Sequence, residues 1–218
     1  MKIEEDTKLD FSDVLIRPKR SVLSSRSEVN LIRQIKFANG ISWEGVPIIA
    51  ANMDTIGTYE VYKVLSEHKI ITALHKFYTL EDYKSMNLDP NYFMVSTGIT
   101  DNDFNRVTEI IESIDVKFIC VDVANGYMQK LVDFCKNIKE KYPSKIVVAG
   151  NVVTREITEE LILSGVDIVK IGIGPGCFAS DTKILLANGT YKNISDIEIG
   201  DMVINKNGDP VEVINKFN

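Results

Sequence analysis

Cys177 stands directly after the glycine loop Gly172-Ile173-Gly174-Pro175-Gly176, which closes an apolar run beginning at Ile168. A thiol in that place invites assignment as a catalytic nucleophile. The other cysteines, Cys120 and Cys135, and the two histidines, His68 and His75, lie far apart in sequence without zinc-ligand spacing. So sparse and odd a set fits reduced thiols better than a disulfide framework. Five further polar clusters each follow an apolar run: Asn52-Met53-Asp54, His75-Lys76, Ser96-Thr97-Gly98, Asp122-Val123-Ala124-Asn125-Gly126 and Gly150-Asn151. Any one of these could simply cap a loop. Six in succession, the glycine loop included, point to a site for a polar ligand.

The elements that must position these clusters are legible as apolar runs. Residues 47–51, 70–74, 92–95, 118–121, 146–149 and 168–172 are nearly unbroken apolar stretches, as strands buried on both faces of a parallel sheet should be. Between them lie segments with helical spacing. Leu131, Cys135 and Ile138 share one face of a helix expected over 127–140. Cys135 is there a small apolar residue on a buried stripe. Over 154–164, Thr154 is the expected N-cap, Ile157, Leu161 and Leu163 the apolar surface, and Gly165 the C′ glycine. The strand starts recur at roughly 22–28 residues, the βα rhythm of a (β/α)8 barrel, with six of eight units visible. Reactive groups of such barrels stand at the C-terminal ends of strands, where the polar clusters fall. A doubly wound open sheet is the alternative, although no Gly-x-Gly-x-x-Gly turn follows the first strand.

Residues 177–218 change character. Alternating runs at 183–186, 191–194, 202–204 and 211–214 enclose Asn188-Gly189 and Asn207-Gly208, two hairpin signals. The chain thus divides at 176/177 into an incomplete α/β barrel and a small all-β segment.

A net charge of −6 and the absence of a basic stripe argue against a nucleic-acid surface. Acidic residues occupy the start where a signal peptide would be basic and then apolar, and no apolar run is long enough to span a bilayer. A cytoplasmic protein without membrane contact is expected.

Several segments resemble the IMP dehydrogenase/GMP reductase family. They are residues 9–21 (LDFSDVLIRPKRS), 47–55 (PIIAANMDT), 72–76 (TALHK), 118–126 (FICVDVANG), 149–154 (AGNVVT) and the glycine loop. The resemblance covers essentially all of 1–176. It leans to the reductases, because the spacing leaves no room for the regulatory insertion of the dehydrogenases and Arg17-Pro-Lys-Arg-Ser21 looks like the reductase opening. It implies a TIM barrel and NADPH-dependent conversion of GMP to IMP with release of ammonia. It further implies NADPH contacts at Ser25, Arg26, Lys76, Asp122, Val123, Ala124, Ile173 and Gly174, and potassium held by the carbonyls of Gly174 and Gly176. Lys76 is also implied as a residue assisting the chemistry, with a solvated loop lysine as its plain alternative. Homotetramers are what the family suggests.

The resemblance breaks at Cys177. The family's loop continues with Ser, an apolar residue, the catalytic Cys and Thr, whereas here Cys177-Phe178-Ala179 follows at once. Residues 177–218 resemble instead the N-terminal segment of an intein, a Hint domain. Cys177 at the junction, Asp181-Thr182 and Gly200-Asp201-Met202-Val203 carry that likeness. It implies that the Cys177 thiol attacks the Gly176 carbonyl in an N-to-S acyl shift. The partner would be a C-terminal intein–reductase half, in the same gene or a separate chain. Three alternatives stand beside this: an IMP dehydrogenase in the same arrangement, an inactive truncated barrel fragment, or Cys177 as a buried cysteine of an unrelated fused domain.

Overall fold

The computed structural model describes residues 13–172, 183–205 and 208–214. Ile173, Gly174, Gly176 and Cys177 lie outside the described residues. The chain enters through an antiparallel hairpin, β1 (Arg33–Lys36) and β2 (Ser42–Gly45). Asn39-Gly40 turns it, with Gly40 at φ +86°. Largely apolar strands then alternate with amphipathic helices. The order is β3 (Ile49–Ala50), α1 (Tyr59–Glu67), β4 (Ile71–Leu74), α2 (Leu80–Ser85), β5 (Phe93–Thr97), α3 (Asp101–Ser113), β6 (Phe118–Asp122), α4 (Gln129–Lys141), β7 (Ile146–Val152), α5 (Arg155–Leu163) and β8 (Ile168–Ile171).

All six strands pair in parallel and in sequential order, β3-β4-β5-β6-β7-β8. A doubly wound sheet reverses its strand order at a switch point, so the sequential order excludes that alternative and matches an incomplete TIM barrel. One face of the sheet packs on helices. Leu74, Val95, Ile119, Val121 and Val147 meet Val107 and Ile110 of α3, Leu131, Cys135 and Ile138 of α4, and Ile157 and Leu161 of α5. The concave face forms a second, smaller cluster of Ile71, Ala73, Met94, Phe118, Cys120, Ile146 and Val148. Trp43 of β2 joins it, with Phe37 and Ile41 against it. The Trp43 indole donates to the Asn91 carbonyl at 2.8 Å, which anchors the hairpin at the N-terminal end of the half-barrel.

Buried polar links fix the helices to the strands. Asp167, between α5 and β8, accepts from the Lys139 ammonium at 2.9 Å and the Val147 amide at 2.8 Å. Arg106 of α3 donates to the carbonyls of Tyr78 and Ser96 at 3.0 and 2.6 Å.

The helix expected over 154–164 forms, with Ile157 and Leu161 buried and Gly165 at φ +90°. Two details differ from expectation. Leu163 is 87 % exposed, because it sits in the last turn of α5 beyond the stripe set by Ile157 and Leu161. Thr154 stands at the N-cap position, but its side chain makes no cap bond; its carbonyl instead accepts from the Thr158 hydroxyl at 2.8 Å.

After the glycine loop, β9 (Lys183–Leu185) pairs antiparallel with β10 (Tyr191–Asn193), and β11 (Met202–Ile204) with β12 (Pro210–Glu212). Gly189 and Gly208 take φ +80° and +89°, the left-handed conformation that such turns require. A Leu186–Val203 bridge joins the two hairpins.

Two caps provide a test. The Thr100 hydroxyl accepts from the Asp103 amide and the Asp103 carboxylate returns to the Thr100 amide, a reciprocal cap on α3. Thr100→Ala should lower stability by about 1 kcal/mol in urea titration. Thr154→Ala, which removes no cap bond, should shift it by less than about 0.5 kcal/mol.

Candidate functional site

Alternation along a strand sends every second side chain to the concave face. Along β6 that face reads Phe118, Cys120, Asp122; along β7, Ile146, Val148, Gly150; along β8, Ile168, Lys170. It runs from apolar at the N-terminal end to polar at the C-terminal end. Nothing in the composition of single strands requires this, yet all three strands change together.

The register explains what the change builds. Asp122 of β6 lies opposite Gly150 of β7, which lies opposite Lys170 of β8. A Cβ at Gly150 would stand 2.5 Å from the Lys170 carbonyl oxygen and 2.6 Å from its Cβ. Glycine therefore leaves the concave side of β7 open, and the Lys170 ammonium crosses it to pair with the Asp122 carboxylate. The same ammonium donates to Asn52 Oδ1, after β3, at 3.4 Å. Asp122 and Lys170 are 35 % and 29 % exposed, so water still reaches the pair and screens it.

Two buried polar atoms at this rim have no hydrogen-bond partner among the described residues, His75 Nδ1 and Asn151 Oδ1. Buried polar groups are normally satisfied, so such atoms suit a ligand. The His75 ring stacks on Tyr78 with centroids 4.0 Å apart, and the His75 amide donates to the Gly57 carbonyl at 2.9 Å. Gly126 approaches the Asn151 carbonyl so closely that any Cβ would collide with it. That contact holds the loop after β6 against the end of β7.

The residues expected at the site divide into three groups. Asp122 joins the cluster, with the Val123 amide donating to the Gly150 carbonyl at 3.4 Å and Ala124 exposed beside it. Lys76 is exposed at the same strand-end rim, its ammonium 5.7 Å from the centre of the Phe77 ring. Ser25 and Arg26 are exposed in a short 3-10 turn, where the Ser25 side chain bonds locally to Ser27. Ile173, Gly174, Gly176 and Cys177 lie outside the described residues. Lys170 was not anticipated; a lysine inside an otherwise apolar strand was the signal.

Neither described cysteine suits nucleophilic work. Burial pushes the Cys120 thiol up to about 11 and the Cys135 thiol up to about 12, which keeps both protonated near neutrality. Among the described residues no cluster of three or more His, Cys, Asp or Glu could hold a metal ion, and no helix is long and apolar enough to cross a membrane.

Similarity to known proteins bears on this arrangement. A family model described as "IMP dehydrogenase / GMP reductase domain" matches residues 8–213. The match continues past Cys177 and marks no boundary there. The chain is 50% identical over 215 residues to a GMP reductase of Buchnera aphidicola subsp. Acyrthosiphon pisum (strain Tuc7), covering 95% of this chain and 61% of that protein. It is 54% identical over 183 residues to a GMP reductase of Tolumonas auensis, covering 81% of this chain and 53% of that protein. The chain thus spans between about half and three fifths of the length of these curated relatives. Among solved structures, inosine 5' monophosphate dehydrogenase from Legionella pneumophila superposes with a TM-score of 0.65 at 30% identity, over 78% of this chain and 52% of that one.

Two outcomes are expected. Gly150→Ala should destabilise the fold by about 1–3 kcal/mol in denaturant titration, since the added methyl displaces Lys170. Iodoacetamide at pH 8 should leave Cys120 and Cys135 unmodified in the native chain and alkylate both in urea, as read by peptide mapping.

Proposed function

We propose, because the chain belongs to the IMP dehydrogenase/GMP reductase family, that it is the N-terminal part of a GMP reductase carried as an intein-containing precursor. The activity proposed for the assembled enzyme is reductive deamination of GMP to IMP and ammonia. The observation that carries the reductase reading is a polar strand-end cluster in a chain 50–54% identical to proteins named GMP reductase. The dehydrogenase alternative has weaker support, since the dehydrogenase structure that superposes is 30% identical.

The residues present fit an anionic dinucleotide at the rim. Exposed Lys76 supplies positive charge suited to phosphate, and the unpartnered His75 Nδ1 and Asn151 Oδ1 can receive polar groups. Ser25 and Arg26, in their exposed 3-10 turn, are proposed as further cofactor contacts, the Arg26 guanidinium being suited to phosphate. When bound, NADPH supplies the hydride that takes the place of the displaced ammonia at the purine C2. Asp122, paired with Lys170, orients the hydroxyl groups of a bound ribose by accepting from them. Lys76 is the proposed assisting cation. The carbonyls of Gly174 and Gly176 are the proposed potassium ligands, a hard cation being suited to backbone oxygens. Cytoplasmic location and a homotetramer belong to the same proposal.

Cys177 serves a different reaction. The thiol attacks the Gly176 carbonyl carbon, an S–C bond forms, the Gly176–Cys177 C–N bond breaks and the amine takes the thiol proton. A thioester results. Glycine leaves that carbonyl unhindered. The two hairpins that follow the junction support an all-β splicing segment, although hairpins alone do not distinguish a Hint domain from other small β folds. The partner proposed is a C-terminal intein–reductase half.

Mixing the chain with that partner should yield, by mass spectrometry, a ligated reductase lacking residues 177–218. Ligation that survives Cys177→Ala would refute the splicing role. The 218-residue chain by itself should show no GMP-dependent oxidation of NADPH at 340 nm, since the sequence after Gly176 does not carry the reductase's nucleophilic loop.

A further inference from the structure

The turn that carries Lys76 belongs to no helix or strand. It consists of His75, Lys76, Phe77 and Tyr78, between Leu74 at the end of β4 and Thr79, the N-cap of α2. Lys76 and Phe77 at its apex are exposed, while both of its ends are tied to other segments. At the first end the His75 amide donates to the Gly57 carbonyl at 2.9 Å. At the second, the Tyr78 hydroxyl accepts from the Tyr59 amide, at the start of α1, at 3.0 Å. The Tyr78 ring joins the two ends by stacking on His75, nearly parallel at 14° with centroids 4.0 Å apart.

One side chain from α3 completes this frame. Arg106 donates from Nη1 to the Tyr78 carbonyl at 3.0 Å and from Nη2 to the Ser96 carbonyl at 2.6 Å. Ser96 lies in β5, the neighbour of β4 in the sheet. The guanidinium thus bridges the end of one strand and the turn that follows the next. Both bonds go to main-chain carbonyls, so a rigid planar fork is used to place backbone. Its base is fixed as well. Asp103, three residues earlier, caps α3 reciprocally with Thr100, and a Cβ on Gly98 would stand 2.5 Å from its Oδ2. Burial works against ionisation of Asp103, but its bonds to Thr100 and the charges of Arg106 and Lys76 hold the carboxyl below its usual range. Lys76 therefore stands within electrostatic reach of the same end of α3.

We propose that Arg106 is the positioning residue for Lys76, acting through the Tyr78 carbonyl to hold the turn against the end of β5. This rests on the reading of Lys76 as the assisting cation of a reductase. A lysine ammonium rides on a flexible four-carbon stem, so the fold controls its position chiefly through its backbone. Misplacing a reacting group by about 1 Å is enough to cost on the order of 100-fold in rate. The plain alternative is a link that serves stability alone, as the buried Lys139–Asp167 pair does on the other side of the helical layer. The two roles separate in kinetics. A link for stability moves the unfolding midpoint, whereas a positioning residue also moves kcat, and only while Lys76 is present.

The test uses the full chain and the reductase ligated from it. In the full chain, Arg106→Met should speed amide exchange at His75 and Tyr59 at least about tenfold and leave Val148 of β7 unchanged. In the ligated enzyme it should lower kcat at least about tenfold and keep KM for GMP within about twofold. Arg106→Lys, able to hold one of the two carbonyls, should recover part of that loss. Lys139→Met should lower stability without lowering kcat. The deciding arm is a double-mutant cycle: Lys76→Met lowers kcat, and adding Arg106→Met lowers it no further. Additive losses would make Arg106 a link for stability and overturn the proposal, as would unchanged exchange at His75 and Tyr59. Should Arg106→Met fail to fold, Arg106→Lys takes its place in the cycle. Full activity of Lys76→Met would sink the assisting role of Lys76 and the proposal with it, whereas additive losses sink the proposal alone. If no ligated enzyme forms, the precursor reading fails and the exchange arm decides by itself whether Arg106 holds the turn.

Discussion

Two-residue periodicity along parallel strands is the constraint on which everything else rests. Each strand between helices must be apolar toward those helices, which fixes one half of its residues. The other half faces the concave side and is free to change chemistry along the strand. Here it changes once, between Cys120 and Asp122 on β6, between Val148 and Gly150 on β7, and between Ile168 and Lys170 on β8. Parallel register aligns those changes at one end of the sheet. A polar rim above an apolar floor follows without any loop having to create it. Trp43 and the β1–β2 hairpin pack against the apolar end, so the polar groups gather at the opposite end.

The six strands were legible because a strand buried on both faces has almost no polar residues, and few other short segments look like that. Their arrangement was legible from spacing. The hairpin at 33–45 was not read, although Asn39-Gly40 is the same turn dipeptide that revealed the hairpin around 188–189. Its first strand, Arg33–Lys36, is exposed throughout and carries little apolar pattern. Leu163 misled for the opposite reason. It looks like a core residue, and nothing among the described residues covers it.

The site was half legible. Asp122 was found because it ends an apolar run, and strand ends are where barrels put their chemistry. Its partner Lys170 was hidden inside such a run, where a lysine reads as an interruption. Only the register across Gly150 turns that interruption into a neighbour. Ser25 and Arg26 came from family likeness rather than from geometry, since an exposed 3-10 turn carries no pattern that marks a ligand contact.

Gly150 contributes no side chain, and that has a consequence for which residues can work beside it. Asp122 and Lys170 stand two strand spacings apart, roughly 10 Å of sheet. Four methylenes let the Lys170 ammonium span that width, while a histidine in its place would stop short of the carboxylate. The sheet acts as a ruler, and the length of a side chain is what it measures.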